Sequence, residues 1–222
     1  MVDGIFLRNA GTVSEREQKK LAESTVGIVG LGGIGSPAFE ILVRLGIGNF
    51  VIFDRDRFEE SNFNRQLYAV DSNVGKFKAG VAAAKARKIN PEVRVEAYAE
   101  EFNKKNAAKL RKCDVMVDGT DNMEARKNIA AFCRKMKIPY VFCSAGKSMG
   151  MVSVFDRARF KDVFGEAREG VKKSVIAPAA VLAGSISASQ AACVLLGKPY
   201  VRAPEFIFFD IFSERFLWKQ KV

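Results

Sequence analysis

The chain of 222 residues contains no histidine. That absence removes imidazole general acid–base catalysis, Ser–His–Asp triads and histidine-ligated metals. Any chemistry must run on carboxylates, lysine, arginine, cysteine or backbone dipoles. Cysteine is sparse: Cys113, Cys133, Cys143 and Cys193 stand far apart and form no Cys-x-x-Cys pair. A zinc site and a disulfide framework are therefore unexpected. No apolar run reads as membrane-spanning and the first residues lack a signal-peptide pattern, so a cytoplasmic protein with no membrane partner is expected. Acidic residues are in deficit, 25 against 36 Lys and Arg, which leaves a net charge of +11. Such a balance fits an anionic partner or a lysine-rich surface. The densest basic groups, Lys85-Arg87-Lys88 and Arg134-Lys135-Lys137, lie on helix-like segments and read as solvated faces.

What is present alternates between strand and helix patterns. Ser14 to Ala22 reads as a charged helix opened by a capping box, with Glu17 three residues after Ser14. Ser24 to Val29 and Phe50 to Phe53 read as strands, with a helix from Ala38 to Leu45 between them. Lys78 to Ile89 is helical and is stopped by Asn90-Pro91. Val93 to Tyr98, Asp114 to Val117, Pro139 to Cys143 and Met151 to Phe155 read as strands. Asn103 to Arg111 and Glu124 to Lys135 read as the intervening helices. This alternation predicts an α/β fold with a Rossmann-like, doubly wound, mostly parallel sheet. Residues 156–173 carry charge without clear periodicity and read as a mobile crossover or lid. Ala177 to Leu196 is a small-residue helix ending at Gly197, and Glu205 to Asp210 and Arg215 to Trp218 read as closing strands. One domain over 1–222 is expected: an N-terminal arm and helix (1–23), a nucleotide-binding core (24–155) and a C-terminal extension of crossover loop, helix and strands (156–222).

The first strand runs directly into Gly30-Leu31-Gly32-Gly33-Ile34-Gly35, and Ser36-Pro37 opens the next helix. Strand, glycine turn and helix start form the context in which backbone N–H groups and a helix N-terminus hold phosphate. Asp54 follows the second strand, roughly 20 residues on, where a carboxylate can take ribose hydroxyls. The loop alone does not choose between NAD, FAD and ATP. Three further residues bear on that choice: Arg65 in Ser61-Asn62-Phe63-Asn64-Arg65-Gln66, Lys78 at a helix start, and Asp121 in Asp118-Gly119-Thr120-Asp121-Asn122. A dinucleotide oxidoreductase would leave all three unexplained. In isolation Arg65 and Lys78 read equally as surface charges, and Asp121 as a helix-capping turn residue.

Taken together in this order, the motifs resemble the E1-like activating family: the ThiF/MoeB enzymes and the adenylation domains of ubiquitin-activating enzymes. The resemblance runs from Gly27 to Phe155 and more loosely to the end. It implies ATP and Mg²⁺ as cofactors. Gly30, Gly32, Gly33 and Gly35 would line the phosphates, Asp54 would hold the ribose with Asp56 beside it, and Asn62, Arg65, Gln66 and Lys78 would contact phosphates. Arg65, Lys78 and Asp121 would be catalytic, with Asp121 binding the metal. The resemblance also implies a homodimer in which an N-terminal arginine crosses between subunits, and Arg8 is the nearest candidate. The reaction implied is attack of a carboxylate on the α-phosphorus of ATP, giving an acyl-adenylate and pyrophosphate.

This chain departs from the family pattern in lacking the two zinc-binding Cys-x-x-Cys pairs and any cysteine between Asp156 and Ala177. Cys143 and Cys193 read as packing residues. Adenylation without an enzyme thioester and without zinc is therefore expected. Three acids fit the resemblance. The first is the C-terminal glycine of a ubiquitin-like sulfur carrier protein. The second is a small-molecule carboxylate, as in the guanylylpyridinol adenylyltransferase of iron-hydrogenase cofactor synthesis. The third is threonylcarbamoyl-adenosine in tRNA.

Overall fold

A computed structural model describes residues 4–165 and 174–222. After a 3₁₀ turn at Gly4–Asn9, helix α1 spans Glu15–Glu23. Ser14 caps it as expected: its hydroxyl accepts from Glu17 N at 3.3 Å, and the Glu17 carboxylate accepts from Ser14 N at 2.8 Å. Strands β1 (Thr25–Val29), β2 (Asn49–Phe53), β3 (Arg94–Tyr98) and β4 (Val115–Asp118) follow, with helices α2 (Gly35–Leu45) and α3 (Lys78–Ile89) between the first three. Helix α4 (Met123–Met136) leads to β5 (Tyr140–Gly146) and β6 (Met149–Phe155). The chain closes with α5 (Phe160–Phe164), α6 (Ala177–Leu196), β7 (Glu205–Asp210) and β8 (Leu217–Lys221).

The strands form one sheet in the order β3-β2-β1-β4-β5-β6-β7-β8. The first five of that order pair parallel, and β5 to β8 add an antiparallel extension. Within β2 the side chains alternate between faces: Phe50 and Ile52 enter the core under α2 and α6, while Val51 and Phe53 enter the core under α4. Burial on both faces explains why these strands read as continuous apolar runs.

Three sequence expectations are corrected here. Asn103 to Arg111 is not an α-helix; only a 3₁₀ turn forms, at Ala107–Leu110. Asn103 and Asn106 divert the backbone by side-chain bonds: Lys105 N donates to Asn103 Oδ1 and Asn103 N to Asn106 Oδ1, each at 2.8 Å. The stretch read as a mobile lid contains α5, which is pinned by aromatics. Phe164 lies 4.9 Å from Phe142, and Phe160 lies 5.4 Å from Phe155, ring centre to ring centre. The remainder of that expectation, 166–173, lies outside the described residues. Helix α6, with mean hydropathy 1.7 over its most apolar window, is long and apolar enough to cross a membrane by composition. Here it is a core helix. Its Ala183, Ala188 and Ala191 pack in the same core as Phe39, Leu42 and Val154, and Gly184 lets its backbone approach Ile34 O at the start of α2.

Candidate functional site

Parallel order 3-2-1-4-5 places a topological switch between β1 and β4, where chains leaving the strand ends diverge and open a crevice. The glycine loop sits at that point. Gly30 adopts φ +86°, a left-handed backbone suited to glycine, and its N–H donates to Phe53 O at 2.8 Å. A Cβ on Gly30 would meet Gly119 C and O at 2.7 Å, and one on Gly35 would meet Gly30 O at 1.9 Å. Three backbone segments thus pass in contact, which only glycine permits. Gly32 differs, because a Cβ there would meet nothing closer than Gln66 Nε2 at 3.7 Å. Helix α2 starts at Gly35 with no side-chain cap on Ile34. Ser36 N donates to Gly32 O at 3.1 Å and Pro37 has no N–H, so the donors left for an anion are the N–H groups of the glycine loop and of Gly35.

Asp54 is buried at the end of β2. Its Oδ2 accepts from Leu31 N at 2.7 Å and its Oδ1 from Asp56 N at 2.8 Å. The carboxylate therefore ties the glycine loop to the second strand. Burial raises its pKa above 3.8, against the opposing pull of the two N–H donors and Lys78. Lys78 opens α3 with its side chain 7% exposed and its Nζ 3.5 Å from Asp56 Oδ2. Asp56 itself is 59% exposed.

Asn62 is buried and turns the following loop, accepting from Glu59 N at 3.3 Å. Arg65 donates from Nη1 to Ser61 O at 3.0 Å and to Asn64 Oδ1 at 2.8 Å, and packs against Gly33. Gln66 is 6% exposed, and its Oε1 has no hydrogen-bond partner. The orphaned oxygen calls for a donor such as a hydroxyl or water, while the Gln66 Nε2 amide on the Gly32 side is the donor a phosphate oxygen would need. Gly30, Gly32, Gly33, Gly35, Asp54, Asp56, Asn62, Arg65, Gln66 and Lys78 are thus gathered on two loops and one helix start around one crevice. The open cradle at Gly32, the loop N–H groups and the Gln66 Nε2 donor beside them fit a nucleotide phosphate.

Asp121 is exposed on the loop after β4. It is not the helix cap: Asn122 is, accepting from Ala125 N at 2.7 Å. Among the described residues no three metal-ligating side chains cluster. A single carboxylate fits Mg²⁺ shared with substrate phosphates and water, and does not fit an all-protein cage. Asp118 supports this loop from beneath, and sequence reasoning missed its partners Tyr140 and Arg126. Asp118 is fully buried. Its Oδ1 accepts from Thr120 N at 2.8 Å and Thr120 Oγ1 at 2.6 Å, and its Oδ2 from Tyr140 Oη at 2.5 Å. Arg126 Nε lies 3.6 Å from Asp118 Oδ2, and Arg126 Nη2 donates to Thr120 O at 2.9 Å and Cys143 O at 3.1 Å. Burial pushes the Asp118 carboxyl up, while Arg126 and the three hydrogen bonds pull it down.

Arg8 is not brought to this crevice within one chain. Its neighbour Asn9 donates to Leu45 O at the far end of α2, about 15 Å of helix from Gly35. A role at the site requires a second copy. Cys143 is buried and donates to Ala183 O, and burial pushes its thiol up to about 12.

The ThiF family model matches residues 6–221. The SAMP-activating enzyme E1 of Haloferax volcanii is 33% identical, covering 92% of this chain and 79% of the relative. The sulfur carrier protein adenylyltransferase of Thermus thermophilus is 31% identical, covering 92% and 81%. Among solved structures, the tRNA N6-threonylcarbamoyladenosine dehydratase of E. coli superposes with a TM-score of 0.74 at 26% identity, covering 87% of this chain and 94% of that one. E. coli MccB with MccA shares the fold at a TM-score of 0.81 and 22% identity, and this chain spans 66% of its length.

Proposed function

The chain belongs to the ThiF family of adenylyltransferases, and we propose that it uses ATP and Mg²⁺ to activate the C-terminal glycine carboxylate of a ubiquitin-like sulfur carrier protein. The observation that carries this is the grouping of buried Lys78, Arg65 and the Gln66 Nε2 amide on the open side of a glycine loop. That set suits a triphosphate better than a dinucleotide, since it supplies cations as well as backbone N–H groups. Similarity over 92% of this chain to a relative named for a sulfur carrier protein supports the choice of acid.

The chemistry follows from charge. A carboxylate is ionised at neutral pH, so its oxygen attacks the α-phosphorus without a protein base, which agrees with the lack of histidine. As the new P–O bond forms, the bond to the β-phosphate oxygen breaks and pyrophosphate leaves. Catalysis is then positioning plus stabilisation of charge on the phosphates. Lys78 and Arg65 supply the positive charge, the glycine loop and the start of α2 supply N–H donors, and Asp54 fixes the ribose. A Mg²⁺ bound at Asp121 would neutralise phosphate charge. Arg8 would join the site from a second copy in a homodimer.

The test is ATP–pyrophosphate exchange with carrier proteins ending in Gly-Gly. Exchange is expected to appear with one of them and to fall roughly 100-fold or more in Lys78→Ala and Asp121→Ala. The same assay with a guanylylpyridinol-type acid and with threonylcarbamoylated tRNA covers the two other acids. The tRNA reading draws on the 94% coverage of the E. coli dehydratase chain and on the net charge of +11. Exchange confined to either of those substrates, or to none, would overturn the carrier assignment.

A further inference from the structure

An open groove of about 640 Å³ runs along the outer face of α3, with none of the glycine-loop residues in its lining. Its rim carries Arg57, Lys76, Lys85 and Lys88, and no carboxylate lines it among the described residues. Its floor is apolar, made by Phe77 and Val81 with Gly80 between them. A Cβ on Gly80 would meet nothing within 4 Å, so the floor is open space and not a packed contact. Phe77 is 37% exposed, and the Arg57 guanidinium lies 3.6 Å from its ring centre.

The sequence suggested that Lys85 and Lys88 were a solvated helix face. The fold sets them on the wall of a groove whose upper end adjoins the candidate site. Arg57 follows Asp56, Phe77 precedes Lys78, and the two are bridged strand to strand. From Lys78 to Lys88 the groove follows α3 for about 15 Å, longer than a single anion needs.

We propose that this groove docks the acidic face of the carrier protein's folded body, with an apolar side chain of the carrier seated over Gly80 and Val81. The inference rests on the carrier reading given above. An apolar floor inside a cationic rim is the anatomy of a protein interface. A groove for a nucleic-acid backbone would call for a polar floor or exposed stacking faces, and here the face of Phe77 is already covered by Arg57. Charge complementarity at such a rim steers encounter and makes it salt-dependent.

The experiment measures exchange kinetics of the full chain with the intact carrier and, separately, with a synthetic peptide of the carrier's C-terminal tail. Two variants keep the catalytic residues: Lys85→Glu/Lys88→Glu, which reverses the rim, and Gly80→Leu, which fills the floor. Leucine is the better helix former, so Gly80→Leu is expected to hold or raise Tm. For the intact carrier, KM is expected to rise roughly tenfold or more in both variants. With wild type KM should climb with salt, and with the charge-reversed variant this dependence should be largely lost. KM for ATP and for the tail peptide should stay within about twofold of wild type. An unchanged KM for the intact carrier would overturn the docking site while leaving adenylation standing. An equal rise for the tail peptide would also overturn it, because the groove would then act on the site and not on the body. Loss of bulk tRNA binding in the variants, with carrier kinetics intact, would assign the groove to RNA instead. Absence of exchange with any carrier in wild type would remove the carrier reading itself.

Discussion

Gly32→Ala and Gly35→Ala should separate a glycine kept for a ligand from one kept for the fold. At Gly35 the new methyl would lie 1.9 Å from Gly30 O, a backbone atom that cannot rotate away. Normal contact is about 3.3 Å, so the start of α2 must move by more than an ångström. Overpacking costs about 1–3 kcal/mol where side chains can yield; against backbone the upper end applies. At about 2–4 °C per kcal/mol for a chain of this size, Gly35→Ala should lose on the order of 6–12 °C in Tm. At Gly32 the new methyl meets only the end of Gln66 at 3.7 Å, so Tm should hold to within about 2 °C. That methyl would nevertheless fill the space where phosphate oxygens approach bare backbone. The KM for ATP in pyrophosphate exchange should therefore rise by about tenfold or more, a loss of about 1.4 kcal/mol. Calorimetry and exchange on the same preparations measure both quantities. A Gly32→Ala protein with wild-type KM for ATP, or a Gly35→Ala protein with wild-type Tm, would refute the reasoning.

Three other outcomes are expected. Arg126→Ala removes the cation facing buried Asp118 and the clamp on Thr120 O; stability should fall by about 3–5 kcal/mol, as for a broken buried pair, and urea unfolding will measure it. Glu17 is held down to about 2 by Ser14, so the folded chain keeps it ionised where the unfolded chain protonates it. Its stabilisation is present above pH 4.5 and lost as pH falls through about 2, so the Tm difference between wild type and Glu17→Gln should shrink on acidification and vanish in strong acid. Burial raises the thiols of Cys113, Cys133 and Cys143, so native protein should resist alkylation at those three positions at neutral pH. Incubation of the protein with ATP and the carrier should give no thiol-labile enzyme–carrier adduct on a non-reducing gel, whereas an adduct lost in Cys143→Ala or Cys193→Ala would restore a covalent step.

The glycine loop, the capping box at Ser14 and the small-residue helix were legible because each is a local pattern whose physics closes within a few residues. The segment from Asn103 was not, because asparagine side chains competed with a helix that propensity alone allowed. Arg126 was missed for a different reason. In a helix that also carries Lys127, Arg134 and Lys135, one more cation attracts no notice. Yet Arg126, Ile129 and Cys133 are the buried positions of α4, spaced three and four apart. A cation on an apolar stripe was the available signal.

The same signal marks Lys78, which shares the buried stripe of α3 with Ala82 and Ala86. The two cations then part company by their partners. Arg126 faces a fully buried carboxylate and donates from Nη2 to two backbone carbonyls, so its charge is matched inside the protein even though its Nε makes no hydrogen bond. Among the described residues the ionic partner of Lys78 is Asp56, which is 59% exposed and 3.5 Å away. The buried Asp54 carboxylate adds a longer-range attraction, and Lys78 is left without a close buried anion. A triphosphate on the glycine loop would give it a stronger partner, and for that reason Lys78, and not Arg126, is the cation we propose for the chemistry.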